Sequence, residues 1–144
     1  MQEYMEEWRI KPRRRYTAGL EEQCDLIDAF QSDSVGAAWD FGHANITGYD
    51  QAKSLKYIGK RLKATHVHDN KGLLDDHTLP FLGTVDWPPA MKALKEIGYT
   101  GDLTYELARY TINIPEPLID NAIRQSIQVG KYLLALAEMS DETS

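Results

Sequence analysis

The chain has 144 residues, 42% apolar and 26% charged, a globular composition long enough for one domain with its own core. Its net charge of −6 disfavours non-specific nucleic-acid binding, which depends on neutralising phosphates, and no apolar run approaches the roughly 20 residues that span a bilayer. The single cysteine, Cys24, excludes an intrachain disulfide, and the N-terminus carries no signal-peptide pattern, so the expectation is a cytoplasmic protein with no nucleic-acid and no membrane partner.

Residues 1–17 are expected to be irregular; within them Lys11, Arg13, Arg14 and Arg15 form a basic run, read as a solvated loop or a phosphate contact. A helical pattern then runs from Gly19 to Phe30, with Leu20, Cys24, Ile27 and Phe30 on one face. Val35 to Asp40 is a short strand, followed by a loop from Phe41 to Tyr49. Asp50 caps a second helix whose stripe is Ala52, Leu55, Ile58 and Leu62. Lys63 to His68 is the second strand, and a long polar loop covers Asp69 to Val85. Asp86 is expected to cap a third helix, with Pro88 and Pro89 in its first turn and Trp87, Met91, Leu94 and Ile97 on its face. Asp102 to Glu106 is the third strand. The last helix, Leu118 to Ala137, carries the stripe Ile119, Ile123, Ile127, Leu133 or Leu134, and Ala137, and residues 138–144 form a polar, irregular tail.

The order α-β-α-β-α-β-α, three strands with four helices, means parallel strands joined by crossovers, with residues 1–144 reading as a single domain. Side chains alternate faces along a strand. One face carries Gly36, Ala38, Asp40, Ala64, His66, His68, Thr104 and Glu106; the other carries Ala37, Trp39, Thr65, Val67, Leu103 and Tyr105. The first is small, then polar at each C-terminal end; the second is larger and suits packing under helices, as in a (β/α) barrel. Each strand ends in a metal-competent residue: Asp40, then His66 or His68, then Glu106. Carboxylate and imidazole together suit Mn²⁺, Co²⁺, Mg²⁺ or Zn²⁺.

The segment Trp39-Asp40-Phe41-Gly42-His43-Ala44-Asn45 resembles the Asp-x-Gly-His motif of the sugar-phosphate isomerase/epimerase (xylose isomerase-like) superfamily. Thr65 to Gly72 resembles the next strand end of that family, Asp75 to Trp87 its following loop, and Ile97 to Glu106 its last strand and lead-in. The resemblance implies the C-terminal part of a (β/α)8 TIM barrel with one divalent metal as cofactor, held by a Glu, an Asp, a His and a second Glu. Asp40, His66 and Glu106 match the last three, with His68 as the alternative to His66. It further implies that His43 touches substrate and that Glu106 acts in proton transfer, with Lys71 and Arg109 placed to reach a sugar or its phosphate. Asp75 and His77 are candidates for an additional metal.

The chemistry implied is isomerisation or epimerisation by proton transfer through a metal-stabilised enediolate. Two departures stand out. No strand bearing the first Glu is legible, since Glu3, Glu6 and Glu7 lie in a segment that does not read as that strand. The family's Pro-Gly-x-Gly loop is here Pro80-Phe81-Leu82-Gly83. The site is thus expected to be incomplete in this chain alone, completed by a missing segment or by a homo-oligomer pairing through open sheet edges. Two other readings are a non-catalytic remnant or assembly module of such a barrel, and an endonuclease IV-like metal-dependent phosphodiesterase using Asp40, His43, His66, Asp75, His77 and Glu106.

Overall fold

Alternating helical and strand periodicities produce alternating elements. The computed structural model describes residues 19–139, so the basic run, Glu3, Glu6, Glu7, the N-terminal 1–17 segment and the tail from residue 140 lie outside the described residues. Contacts divide the chain into two units, Met1–Val35 and Gly36–Ser144. The first contributes helix α1 (Leu20–Phe30), in which Cys24 and Ile27 are buried and Phe30, expected on the same face, is exposed.

The second unit holds everything else. Its elements are β1 (Ala37–Asp40), α2 (Phe41–Ile46), α3 (Gln51–Ile58), β2 (Leu62–Val67), α4 (Trp87–Glu96), β3 (Thr104–Tyr105) and α5 (Ile119–Glu138), with single 3-10 turns at Gly59–Arg61 and Glu116–Leu118. The three strands form one parallel sheet in the order β1-β2-β3, with Asp40 opposite His66 and His66 opposite Thr104. The chain is therefore α/β, with three parallel strands and five helices among the described residues, a partial TIM barrel. The α3 helix packs against α4, and α4 against α5.

Strand parity is as expected. Ala37, Trp39, Thr65 and Val67 are buried, while Ala38, Ala64 and His66 on the opposite face are exposed. Leu55 and Ile58 of α3, and Trp87, Met91 and Leu94 of α4, supply much of the core. Inside it, Gln51 is satisfied on both ends of its amide, accepting from Trp39 Nε1 (2.9 Å) and donating to the Phe41 carbonyl (2.9 Å).

Five local expectations need correction. The segment expected as a loop from Phe41 begins with a real helix, α2, capped by the Asp40 side chain, which accepts the His43 N–H at 2.8 Å. Leu62, placed on the α3 stripe, starts β2 instead, because Gly59 turns the chain at φ +56°. Asp86 makes no capping bond to α4. A cap accepts from the second or third helical N–H, and Pro88 and Pro89 occupy those positions without one. The α5 stripe is turned by one residue: Ala122, Ser126 and Leu133 are buried, whereas Ile123 and Ile127 are about half exposed. On that face the Tyr105 side chain of β3 reaches the helix backbone. Tyr105 Oη donates to the Ser126 carbonyl at 2.9 Å, and a Cβ at Gly130 would lie 3.2 Å from that hydroxyl. Finally, α5 runs to Glu138 rather than stopping at Ala137.

Candidate metal centre

Parallel strands deliver their C-terminal side chains to one rim. Asp40 and His66 are register partners, and the Glu106 N–H extends the ladder by donating to the Val67 carbonyl at 3.1 Å. As a result, one ligand atom from each of Asp40, His66 and Glu106 lies within 4.8 Å of the other two. His66 Nδ1 is 3.0 Å from Glu106 Oε2 and 3.6 Å from Asp40 Oδ2.

The arrangement fits a divalent cation. Glu106 Oε2 is buried yet accepts no hydrogen bond, the approach of His66 being too oblique to count as one. A buried carboxylate oxygen in that condition is costly unless a cation satisfies it. Two carboxylates and one imidazole are also the donor set that hard or borderline divalent ions take.

A second cluster adjoins the first. His43, His68, Asp75 and His77 bring ligand atoms within 4.8 Å of one another. Asp75 Oδ2 is 3.3 Å from His43 Nε2 and 3.0 Å from His77 Nε2, while His77 Nδ1 donates to the Glu106 carbonyl at 2.8 Å. His43 joins the two clusters, because its Nδ1 is 2.8 Å from Asp40 Oδ2. His66 and His68, alternatives on sequence grounds, are thus separated: His66 stands with Asp40 and Glu106, and His68 is fully buried beside the second group.

The surroundings favour the ionised forms of Asp40 and Asp75. Burial pushes the Asp40 carboxyl up, but the His68 side chain, the His43 backbone N–H and the two nearby rings outweigh it and hold it below the usual carboxylate value. Asp75 is lowered similarly: burial opposes ionisation, and the hydrogen bonds from His43 and His77 prevail. Burial disfavours the charged form of His77, yet the Glu106 carbonyl and the Asp75 carboxylate raise it above its ordinary 6.5.

The loop carrying Asp75 and His77 is held by a residue that sequence reasoning missed. Asp69, fully buried, accepts four N–H groups: from Asn70 (2.8 Å), Phe81 (3.0 Å), Val85 (3.1 Å) and the Trp87 indole (2.9 Å). Asn70 donates to the Gly42 carbonyl at 2.8 Å and accepts from Asn45 at 2.9 Å, tying α2 to the same loop. The legible signal was the run His68-Asp69-Asn70, three polar residues continuing a buried strand. Lys71 and Arg109 are exposed and belong to neither cluster.

Comparison with known proteins identifies the family and the fold. The family model described as "Xylose isomerase-like TIM barrel" matches residues 4–131. An uncharacterized protein of Sinorhizobium fredii is 39% identical over 90 residues, 61% of this chain and 29% of that protein. Inosose isomerase of Bacillus velezensis is 29% identical over 125 residues, 80% of this chain and 44% of the enzyme. Among solved structures, D-psicose 3-epimerase from Clostridium cellulolyticum, crystallised with D-tagatose, superposes with a TM-score of 0.67 at 18% identity, covering 80% of this chain and 43% of that one. The IolI protein, crystallised with a bound zinc atom, superposes at 0.59 with 25% identity, covering 82% of this chain and 43% of that one. The chain therefore spans less than half the length of these relatives. No described helix is long and apolar enough to cross a membrane.

Proposed function

Because the chain belongs to the xylose isomerase-like TIM barrel family, we propose that it carries the late-strand half of a divalent-metal-dependent sugar (phosphate) isomerase or epimerase site. The observation that supports this best is the convergence of Asp40, His66 and Glu106 from three adjacent strand ends. These three would hold Mn²⁺, Co²⁺, Mg²⁺ or Zn²⁺, which when bound supplies a Lewis acid that polarises a hydroxy-ketone and stabilises the enediolate formed from it.

The chain's own groups do the rest. Glu106, with Oε2 directed to the cation, would use its other carboxylate oxygen to take a proton from the carbon beside the carbonyl. His43 has a half-exposed ring, oriented by Asp40 through Nδ1, and Nε2 is turned toward Asp75, where it can hand a proton to or from a substrate hydroxyl. Lys71 and Arg109, on exposed segments after β2 and β3, would meet a phosphate or hydroxyl at the rim. Among the described residues no Glu stands on a strand before β1, and the barrel-interior face is open at Ala38 and Ala64. We expect the fourth ligand and full turnover to come from outside the described residues, through a further segment or a partner chain, a second copy being one such partner.

Calorimetric titration with Mn²⁺ and Co²⁺ of the wild-type chain, Asp40→Asn and Glu106→Gln tests this reading. Binding by the wild type that is lost in both variants, followed by ketose epimerisation once the site is completed, is the expected result. A folded wild type that binds neither ion refutes it and leaves the chain as a non-catalytic remnant of the barrel.

One observation favours a second reading. His43, Asp75 and His77 form a further metal-competent group beside the first, the multi-ion pattern of an endonuclease IV-like phosphodiesterase. Two bound Zn²⁺ per chain, with phosphodiester cleavage and no epimerisation, would move the assignment there.

A further inference from the structure

His68 is completely buried, and neither of its ring nitrogens makes a hydrogen bond of acceptable geometry. Buried polar atoms without partners are rare enough in native proteins to need a reason. Nε2 does lie 3.0 Å from Asp40 Oδ1, at an oblique angle. A carboxylate only accepts, so a hydrogen bond completed by a small turn of either group would need the hydrogen on Nε2 and would leave Nδ1 bare.

The ring is fixed in that place from two sides. It stacks on His77 at 4.0 Å with only 2° between the planes. On the α2 side, a Cβ at position 42 would fall 1.9 Å from His68 Cε1, so only glycine leaves room for the imidazole. The stack also argues against His68 and His77 sharing one ion. With the rings nearly parallel and their centroids 4.0 Å apart, their in-plane lone pairs lie in separate parallel planes and do not converge on a point about 2.1 Å from each, as zinc–imidazole bonds require.

We propose that His68 is a positioning residue: Nε2–H steadies the Asp40 carboxylate so that Oδ2 faces His66 and Glu106, and Gly42 exists to admit the ring that does this. Outer contacts of this kind fix ligand orientation and are felt in metal affinity. The inference rests on the reading that Asp40, His66 and Glu106 hold a divalent cation.

Two measurements on the full chain test it. The first needs no metal. Long-range ¹H–¹⁵N spectra should show His68 as the Nε2–H tautomer, and the Nδ1–H tautomer overturns the proposal. The second is Co²⁺ titration, by calorimetry and visible absorption, of the wild type, His68→Leu, His68→Gln and Gly42→Ala, each checked for native circular dichroism. His68→Leu and Gly42→Ala should weaken Co²⁺ binding about 10- to 100-fold and shift the d–d bands. His68→Gln, whose amide N–H reaches a similar position, should recover most of the affinity. Unchanged affinity and spectrum in His68→Leu overturns the proposal. So does complete loss of binding equal to that of Glu106→Gln with no rescue by Gln, which would make His68 a ligand. A wild type that binds no Co²⁺ sinks the parent reading and the cation half of this one, while the tautomer still decides the Asp40–His68 contact.

Discussion

Phe81 occupies a position where the backbone asks for glycine. Its φ is +74°, its N–H is committed to Asp69 Oδ2 at 3.0 Å, and it replaces the first Gly of the Pro-Gly-x-Gly loop usual in this family. A left-handed conformation costs a residue with a Cβ roughly 1–2 kcal/mol. What offsets that cost is visible: the ring lies 5.7 Å from Tyr132 of α5 and 6.3 Å from Trp87 of α4. Aromatic pairs of this kind contribute about 0.5–1.5 kcal/mol each. Phe81→Ala should lose both contacts and keep the strain, a destabilisation of roughly 1–3 kcal/mol. Phe81→Gly loses the same contacts but relieves the strain, less roughly 0.5–1 kcal/mol for the greater freedom of an unfolded glycine. The glycine variant should therefore exceed the alanine variant by roughly 0.5–1 kcal/mol, or about 2–4 °C in Tm for a chain of this size. At an ordinary loop position the order is reversed. Urea denaturation followed by tryptophan fluorescence reads the difference directly, since Trp87 is next to the substituted ring. An alanine variant as stable as the glycine variant, or more so, refutes the claim that Phe81 is strained.

Three further outcomes follow from the packing and the electrostatics. Gly83→Ala should destabilise by more than either Phe81 variant in the same urea assay, because its Cβ would lie 2.2 Å from both the Asn70 carbonyl oxygen and Asp69 Oδ1, neither of which can yield. Leu133→Ala should cost roughly 2–5 kcal/mol whereas Ile127→Ser should stay within about 0.5 kcal/mol, and equal costs would mean that α5 buries the face read from sequence. His77 should titrate above 6.5 by NMR, and Asp75→Asn should bring it down. The sign follows from the raised value: the ion pair's contribution to stability is fully present below the ordinary 6.5 and is lost as pH rises through the folded-state value. A His77 that titrates at or below 6.5, or is indifferent to Asp75→Asn, contradicts the arrangement.

Much of this architecture is written in short-range pattern. Strand parity is a period-two property, so Ala37, Trp39, Thr65 and Val67 could be assigned to the covered face, and Asp40, His66 and Glu106 to one rim, without knowing a single contact. What escaped was set by contacts between distant segments or by elements too short to show a period. The six residues of α2 include Gly42 and present no stripe, so the helix is declared only by the Asp40 cap. On α5, hydrophobicity pointed to Ile123 and Ile127, but Ala122 and Ser126 are the buried residues and Tyr105 reaches the backbone at Ser126 and Gly130, a contact that a hydrophobic pattern does not record. His66 and His68 share a strand face by parity, but β2 ends at Val67 and His68, one residue beyond it, is fully buried.

Asp40 has two duties that meet at one carboxylate. It receives the His43 N–H and so closes the first turn of α2, and it is one of the three converging acids and imidazoles. Occupancy of the rim and fraying of that helix are then thermodynamically linked. Hydrogen exchange at the His43 amide becomes a local gauge of whether the centre is filled, readable in a chain that turns over no substrate at all.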